Sequence, residues 1–373
     1  MRKRTPFGII ASVFLVLALI ISFSVLTGSG KKVEGKISGT IRMLGWEGYD
    51  FPKTFAEFGE KHGVTVTMTY ISSNDEIFAK LKAGAEYDVI TPNQANVEQL
   101  VVNDLLQPID TSRIPNYKNL HPEILKAFKQ FNYQGEIWGV PCAFGKNDFV
   151  YSADRVDCID SWWDVLKPEW QGRYIMLDDA LGQITQAARA IGVTRDPSLL
   201  TEDEFEEVRD LLIDMKRGAR AIVSSFGEAK SMLISGEADG WFSANIMIAG
   251  EAKAEGYDIW GCIPKEGALI FLDSYGIPKN APNLDGAYAL IDQMLSTDTQ
   301  IELAEMYMGC VTSDAPPLLS KELYSYFPYD NLPKFFSDNI LNGPIPLEPG
   351  MYATMDDWEV GLSHSVGCMH VRI

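Results

Sequence analysis

SWWDVLKPEWQGRYIMLDD, residues 161–179, is the stretch from which the rest of the 373-residue chain can be read. Ser161 is a helix cap for Trp162 to Leu166, Pro168 ends that helix, and Gly172 frees the backbone to enter a strand over RYIML. Taken alone, the phrase also describes a surface helix packed by its tryptophans. Its neighbours on both sides decide between the readings.

Outward from this stretch, strand and helix alternate. Towards the N-terminus, TIRMLGW (40–46), TVTMTYI (65–71) and DVITP (88–92) have strand composition, each followed by a helical pattern: FPKTFAEFGEKHG closed by Gly63, DEIFAKLKAG, and NVEQLVVND. A second series runs from FVYSAD (149–154) through RYIML, LGQITQAARAIG and TEDEFEEVRDLLIDMKRGA. It continues through AIVS, FGEAKSMLISGEA, GWFSA, IMIAGEAKAEG and DIWGCIP to IFLDSYGIPK, and GAYALIDQMLSTDTQIELAEMYM follows as one long helix or two. Repeated β then α predicts parallel, helix-covered sheets that bind ligands at the carboxyl ends of their strands. In the first series those ends are Trp46 to Asp50, Ser72 to Asn74 and Pro92 to Ala95. The chain exceeds one typical core and suits two α/β lobes with a cleft between them.

The N-terminus reads MRKR and then an uncharged apolar run from Phe7 to Leu26. This is an export signal, and at ~1.5 Å per residue the run is long enough to cross a bilayer as a retained anchor. The basic flank holds the N-terminus in the cytoplasm and places everything after Thr27 outside. Residues 1–29 are thus a signal peptide or a signal anchor. No lipidatable cysteine follows the run, since the first cysteine is Cys142, and Thr27-Gly28-Ser29 offers only a weak cleavage site. With 51 acidic and 32 basic residues the formal charge is −19, which argues against nucleic acid or anionic lipid as a partner. The cysteine count is odd and no C-x-x-C occurs, so at least one thiol is unpaired within a monomer; the spacing leaves the pairing of the others open.

From about Thr40 to Thr312 the order of motifs resembles the polyamine (spermidine/putrescine)-binding members of the bacterial extracellular solute-binding proteins, the capture subunits of ABC importers. Besides SWWDVLKPEWQG, the matching stretches are GWEGY, SSNDEIFAKLKAG with YDVITPN, LLQPIDTSRIPNYKNL, IWGVPCAFGKNDFVY, IMLDDA, IPKEG with FLDSYGIPKNAPN, and AEMYMGCVTSDA. The resemblance implies a type II periplasmic-binding-protein fold, two α/β lobes on a hinge. The chain would cross between lobes near AFGK, near Phe271 to Ser274 and near Gly309 to Thr312. Lobe 1 is then 37–145 plus 274–310 and lobe 2 is 146–271 plus 312–373. It implies a monomer outside the cytoplasm that captures a polyamine or similar small cationic amine and delivers it to an ABC permease with its ATPase. The alternatives are a binder of another small nitrogenous or zwitterionic solute, and a membrane-tethered sensor ectodomain on the same fold.

An ammonium-bearing chain needs carboxylates to replace its hydration and aromatic walls to cover its methylenes. Carried over residue by residue, the resemblance assigns Trp46, Tyr49 and Phe271 to the aromatic wall and Asp179 and Asp273 to the carboxylates. Glu47 and Asn93 join them as neighbouring polar groups. Asp179 also reads as the cap of the helix that follows it, and Asn74 and Asn93 as turn formers. Gly182 stands where polyamine binders carry a second acid, Ala95 and Cys310 where they carry tyrosines, and Ala244 or Asn245 where they carry a tryptophan. These departures imply a shorter or less charged ligand, and an acid restored at 182 is expected to favour longer amines.

No enzyme motif is present: G-x-S-x-G, H-E-x-x-H and G-x-G-x-x-G are missing, and Gly30 to Lys36 has phosphate-loop spacing but continues with Ile37. No cofactor and no metal are expected. HSVGCMH (364–370) matches no zinc spacing, and Tyr324, Tyr326 and Tyr329 read as packing.

Overall fold

The computed structural model describes residues 37–128, 131–341, 343–354 and 356–358. The expected signal segment lies outside them, as do His364, Cys368 and His370. No helix among the described residues is long and apolar enough to cross a membrane.

The first sheet has the order β2-β1-β3, all parallel: β1 (Gly39–Trp46), β2 (Val64–Ile71) and β3 (Val89–Ile90). Helix α1 (Pro52–His62) starts on its proline and ends where Gly63 turns left-handed at φ 68°, as its sequence predicts. Helix α2 (Asn74–Lys82) returns the chain to β3, and the short α3 (Val97–Val102) and α4 (Pro122–Ala127) follow. A small hairpin, β4 (Asn132–Tyr133) with β5 (Glu136–Ile137), leads into β6 (Val140–Ser152).

Strand β6 belongs to a seven-stranded mixed sheet of order β12-β11-β6-β9-β7-β8, with β10 on β6. Its first half, Val140 to Lys146, pairs antiparallel with β11 (Leu269–Tyr275). Its second half pairs with β9 (Gly240–Asn245) and β10 (Ile259–Cys262). Strands β7 (Tyr174–Leu177) and β8 (Ala221–Val223) extend the sheet in parallel, and β12 (Ile340–Leu341) closes the other edge. The expected crossing segments lie side by side: Asp273 faces Ala143, and Phe144 and Gly309 exchange backbone hydrogen bonds. Helices α5 (Ala180–Ala190), α6 (Glu202–Gly218), α7 (Phe226–Ser235) and α8 (Met247–Ala254) cover the strands. The long C-terminal helical pattern is two helices, α9 (Leu284–Met294) and α10 (Thr297–Glu305), with Ser296 capping the second.

The expected helix over Trp162–Leu166 is present as a 3-10 helix, and a second short 3-10 turn follows it. Ser161 caps Trp162–Leu166 in a capping box with Asp164, and Pro168–Trp170 forms the second turn. Lys167 precedes a proline and is held extended, so the first turn cannot lengthen into an α-helix. Trp162 is a core residue, edge-on to Phe242 at 5.0 Å, whereas Trp163 is 41% exposed. Cys158 just before it forms a disulfide with Cys262 of β10, and Cys142 and Cys310 are free and buried. Tyr329 packs as its composition suggested, in an aromatic cluster with Phe327, Phe335 and Phe336 around Phe144.

Candidate functional site

All seven residues singled out from the sequence, Trp46, Glu47, Tyr49, Asn93, Asp179, Phe271 and Asp273, line one cleft enclosing about 670 Å³, part of it open to solvent. The carboxyl ends of β1 and β3 bring Trp46, Glu47, Tyr49 and Asn93 to it, the end of β7 brings Asp179, and β11 brings Phe271 and Asp273. The ends of β1, β3 and β7 and the middle of β11, from two sheets, deliver residues distant in sequence to the one cleft.

Asp273 is the most enclosed acid of the cleft, 4% exposed. The Tyr49 hydroxyl donates to its Oδ2 at 2.7 Å and the Asn93 amide to its Oδ1 at 3.1 Å. Burial pushes its pKa up to about 7, and these neutral donors only partly offset the lost hydration. Asp179 is likewise raised to about 7, by burial first and then by the charges of Asp75, Asp178 and Asp273. Its Oδ2 also accepts from Gly182 N at 3.0 Å, so it caps α5 and lines the cleft at once. Among the described residues no lysine, arginine or histidine lines the cleft. Raised carboxyls without a basic partner leave the site deficient in positive charge.

Glu47 has a second task. Its Oε2 accepts from Gly227 N at 3.3 Å, in the first turn of α7, where the helix dipole favours an anion. Beside it Trp46 stacks on Phe226, ring centroids 6.3 Å apart at 13°, and Phe226 meets Trp241 edge-on at 5.6 Å. The Phe271 ring packs against Gly145, where a Cβ would stand 2.2 Å from its Cζ and force the ring to move. Leu177, Leu181, Leu269 and Met308 add apolar surface for methylenes.

The structure also adds residues that the sequence did not single out. Trp241, Ser243 and Asn147 line the cleft with Phe226, and Asn147 Nδ2 donates to Ser243 Oγ at 3.2 Å. Ala244 or Asn245 stands where polyamine binders carry a tryptophan; in this cleft Trp241 supplies an indole nearby, and Asn245 an amide. Ser243 adopts φ 54° beside the register shift opposite β6, a bulge that redirects β9 side chains. Asn74, read as a turn former, lines the cleft while its Oδ1 accepts from Asn93 N. Ala95 and Cys310 are buried away from the lining, so their small size does not widen the cleft. Gly182 does line it, but a Cβ there would lie 2.4 Å from Asp179 Oδ2. An acid at 182 would displace the cap carboxylate, and the expectation that it adds a charge for longer amines is corrected accordingly.

The profile of the bacterial extracellular solute-binding proteins matches residues 53–322. The chain is 30% identical over 296 residues to the spermidine/putrescine-binding periplasmic protein of Salmonella typhimurium, covering 77% of this chain and 80% of that one. It is 27% identical over 322 residues to the putrescine-binding periplasmic protein PotF of Escherichia coli, covering 80% and 86%. Among solved structures, the TpPotD lipoprotein of Treponema pallidum superposes with a TM-score of 0.72 at 21% identity, over 87% of this chain and 99% of that one. The spermidine/putrescine ABC transporter substrate-binding protein PotD of Streptococcus pneumoniae gives 0.67 at 22% identity, over 89% and 98%. At such identities the superpositions speak for the two-lobed fold alone. These relatives are binding proteins of transport systems, and the profile match covers most of the folded chain. This chain belongs to the bacterial extracellular solute-binding protein family.

Proposed function

We propose that this protein is a monomeric extracytoplasmic receptor that captures a small cationic amine of the polyamine type in the cleft and hands it to an ABC permease with its ATPase. The observation that carries the reading is the presence of Asp273 and Asp179, both raised to about 7, in a cleft with aromatic walls and, among the described residues, no basic side chain. Trp46, Tyr49 and Phe271 cover the methylenes and offer their faces to an ammonium, while Glu47 and Asn93 complete the polar wall. The names of the relatives at 27% and 30% identity point to the same ligand class.

The lobes in this reading are 37–145 with 274–310, and 146–271 with 312–373, joined where β6 passes Gly145. The apolar run Phe7 to Leu26 holds at least part of the population at the membrane, close to the permease. Nucleic acid has no place in it at a formal charge of −19.

Titration calorimetry with putrescine, spermidine and spermine tests the reading. Asp273→Asn leaves a buried ammonium without its partner and should weaken the best ligand by about 2 to 5 kcal/mol. Unchanged affinity in both Asp273→Asn and Asp179→Asn removes these acids from the site. Intact-mass analysis of the membrane fraction tests the anchor: a wholly soluble product beginning near Gly30 overturns it.

A further inference from the structure

Four residues that do not line the cleft join the segments that do. Gly48 stands between Glu47 and Tyr49 after β1 of the first sheet, and Met247 stands just beyond Asn245 after β9 of the second; Glu47, Tyr49 and Asn245 all line the cleft. Gly48 takes φ 94°, a backbone that glycine adopts without strain, and a Cβ there would collide with the Met247 thioether. The fully buried Met247 side chain is thus seated on the bare backbone of the loop after β1.

Three residues on, and so on the same face of α8, Gly250 meets Tyr307, whose ring a Cβ would likewise strike. Tyr307 follows α10 and precedes Met308, another residue of the lining. It holds a left-handed φ of 59°, which carries a cost in any residue but glycine. Tyr326 meets its ring edge-on at 4.9 Å, and its hydroxyl donates to Glu322, which pairs with Lys253 of α8 at 2.9 Å. The chain therefore bears strain to keep this ring against α8.

In the lobe division proposed above, Gly48 and Tyr307 belong to one lobe and Met247 and Gly250 to the other. Side chains outside the lining act on binding through the fraction of molecules that is closed, and apparent affinity scales with that fraction for every ligand alike. Asn245 connects them to the site, since its Oδ1 accepts from Met247 N at 3.0 Å. Resting on the receptor reading, we propose that helix α8 is the clasp of the cleft: Met247 on Gly48 and Gly250 under Tyr307 hold the lobes together from outside the ligand's own contacts and set how long any ligand stays.

Stopped-flow release and calorimetry on the full-length protein test this with putrescine and spermidine. Met247→Ala withdraws the thioether from Gly48. Gly250→Ala displaces Tyr307 while favouring the helix itself, so its effect does not come from an unwound α8. Each should speed dissociation about tenfold and weaken both amines by the same factor. Amide exchange without amine gives an independent reading: Gly227 N, which donates to Glu47 of the other lobe, should exchange several-fold faster in both variants. Thermal melts report folding, and a misfolded Met247→Ala leaves the decision to Gly250→Ala. Folded variants with unchanged release and exchange overturn the clasp. So does a loss much larger for one amine than for the other, which would put α8 in contact with the ligand. If the unmodified protein binds neither amine the receptor reading falls, and exchange at Gly227 alone decides the clasp.

Discussion

The hydroxyl of Tyr49 donates to Oδ2 of Asp273 at 2.7 Å, joining residues 224 positions apart at the meeting of the two sheets. The bond lowers the cost of keeping Asp273 ionised, and an ionised Asp273 is what an ammonium requires. Tyr49 is thus a wall of the cleft and a control on its charge.

Tyr49→Phe should therefore do more than remove a contact. Without the O–H donor the Asp273 carboxyl rises further above about 7. Amine affinity should fall by about 1 to 3 kcal/mol, the cost of unpairing a buried polar group. Calorimetry at several pH values should also show the midpoint of binding displaced upwards; a loss of affinity with an unmoved midpoint would mean that only packing was lost.

The same two acids set a pH dependence with a definite sign. In the folded, unliganded protein Asp179 and Asp273 hold their protons up to about 7, against an ordinary 3.8. Below 3.8 both folded and unfolded chains are protonated there and the two groups cost nothing. As pH rises from 3.8 through 7 the unfolded chain ionises first, so these groups progressively destabilise the unliganded fold. A bound amine reverses the trend, since it favours the ionised form. Ligand affinity should rise with pH up to about 7 and then level off, with protons released on binding. Calorimetry in buffers of different ionisation enthalpy reads the proton count directly; a pH-independent affinity between about 5 and 8 would contradict it.

Gly182→Ala should weaken binding and leave the preference for amine length where it was. The new Cβ would stand 2.4 Å from Asp179 Oδ2, forcing the carboxylate off Gly182 N. Loss of that cap costs about 1 kcal/mol of stability, and the displaced acid no longer meets the ligand as before. A thermal melt together with competition between putrescine and spermine separates the two effects.

Reducing the Cys158–Cys262 disulfide should lower stability without touching affinity. The bridge closes a loop of 104 residues, for which a loss of about 2 to 4 kcal/mol is expected. Neither cysteine lines the cleft. Differential scanning calorimetry with and without reductant, paired with one amine titration, checks both halves of the statement.

Strand ends were legible because β-then-α repetition dictates where ligands bind, and Trp46, Tyr49 and Asn93 stand at such ends, whereas Asp273, within β11, was legible only through the family resemblance. Trp241 and Phe226 were not, because Trp241 sits in the apolar strand GWFSA and Phe226 opens the helix FGEAK, and in both settings an aromatic reads as core. Only the bulge at Ser243 and the packing of α7 turn them towards the cleft, and neither has a local signature. The disulfide depended on β10 lying against β6, a tertiary pairing that spacing cannot give. The Trp162 helix was legible from its Ser161 cap and the proline that ends it, and the proline limit on Lys167 keeps it a single 3-10 turn.

The contact between Glu47 and the amide of Gly227 is made by protein atoms alone, and with the Trp46–Phe226 stack it draws the two sides of the cleft together. Against it works the mutual repulsion of Asp179 and Asp273 whenever both are ionised. The ligand then acts less as glue than as a counter-ion that releases a spring. A permease that recognises the shut form would respond to neutralisation in the cleft, and its idling in the absence of cargo would be governed by the smallest cation able to do the same, the proton.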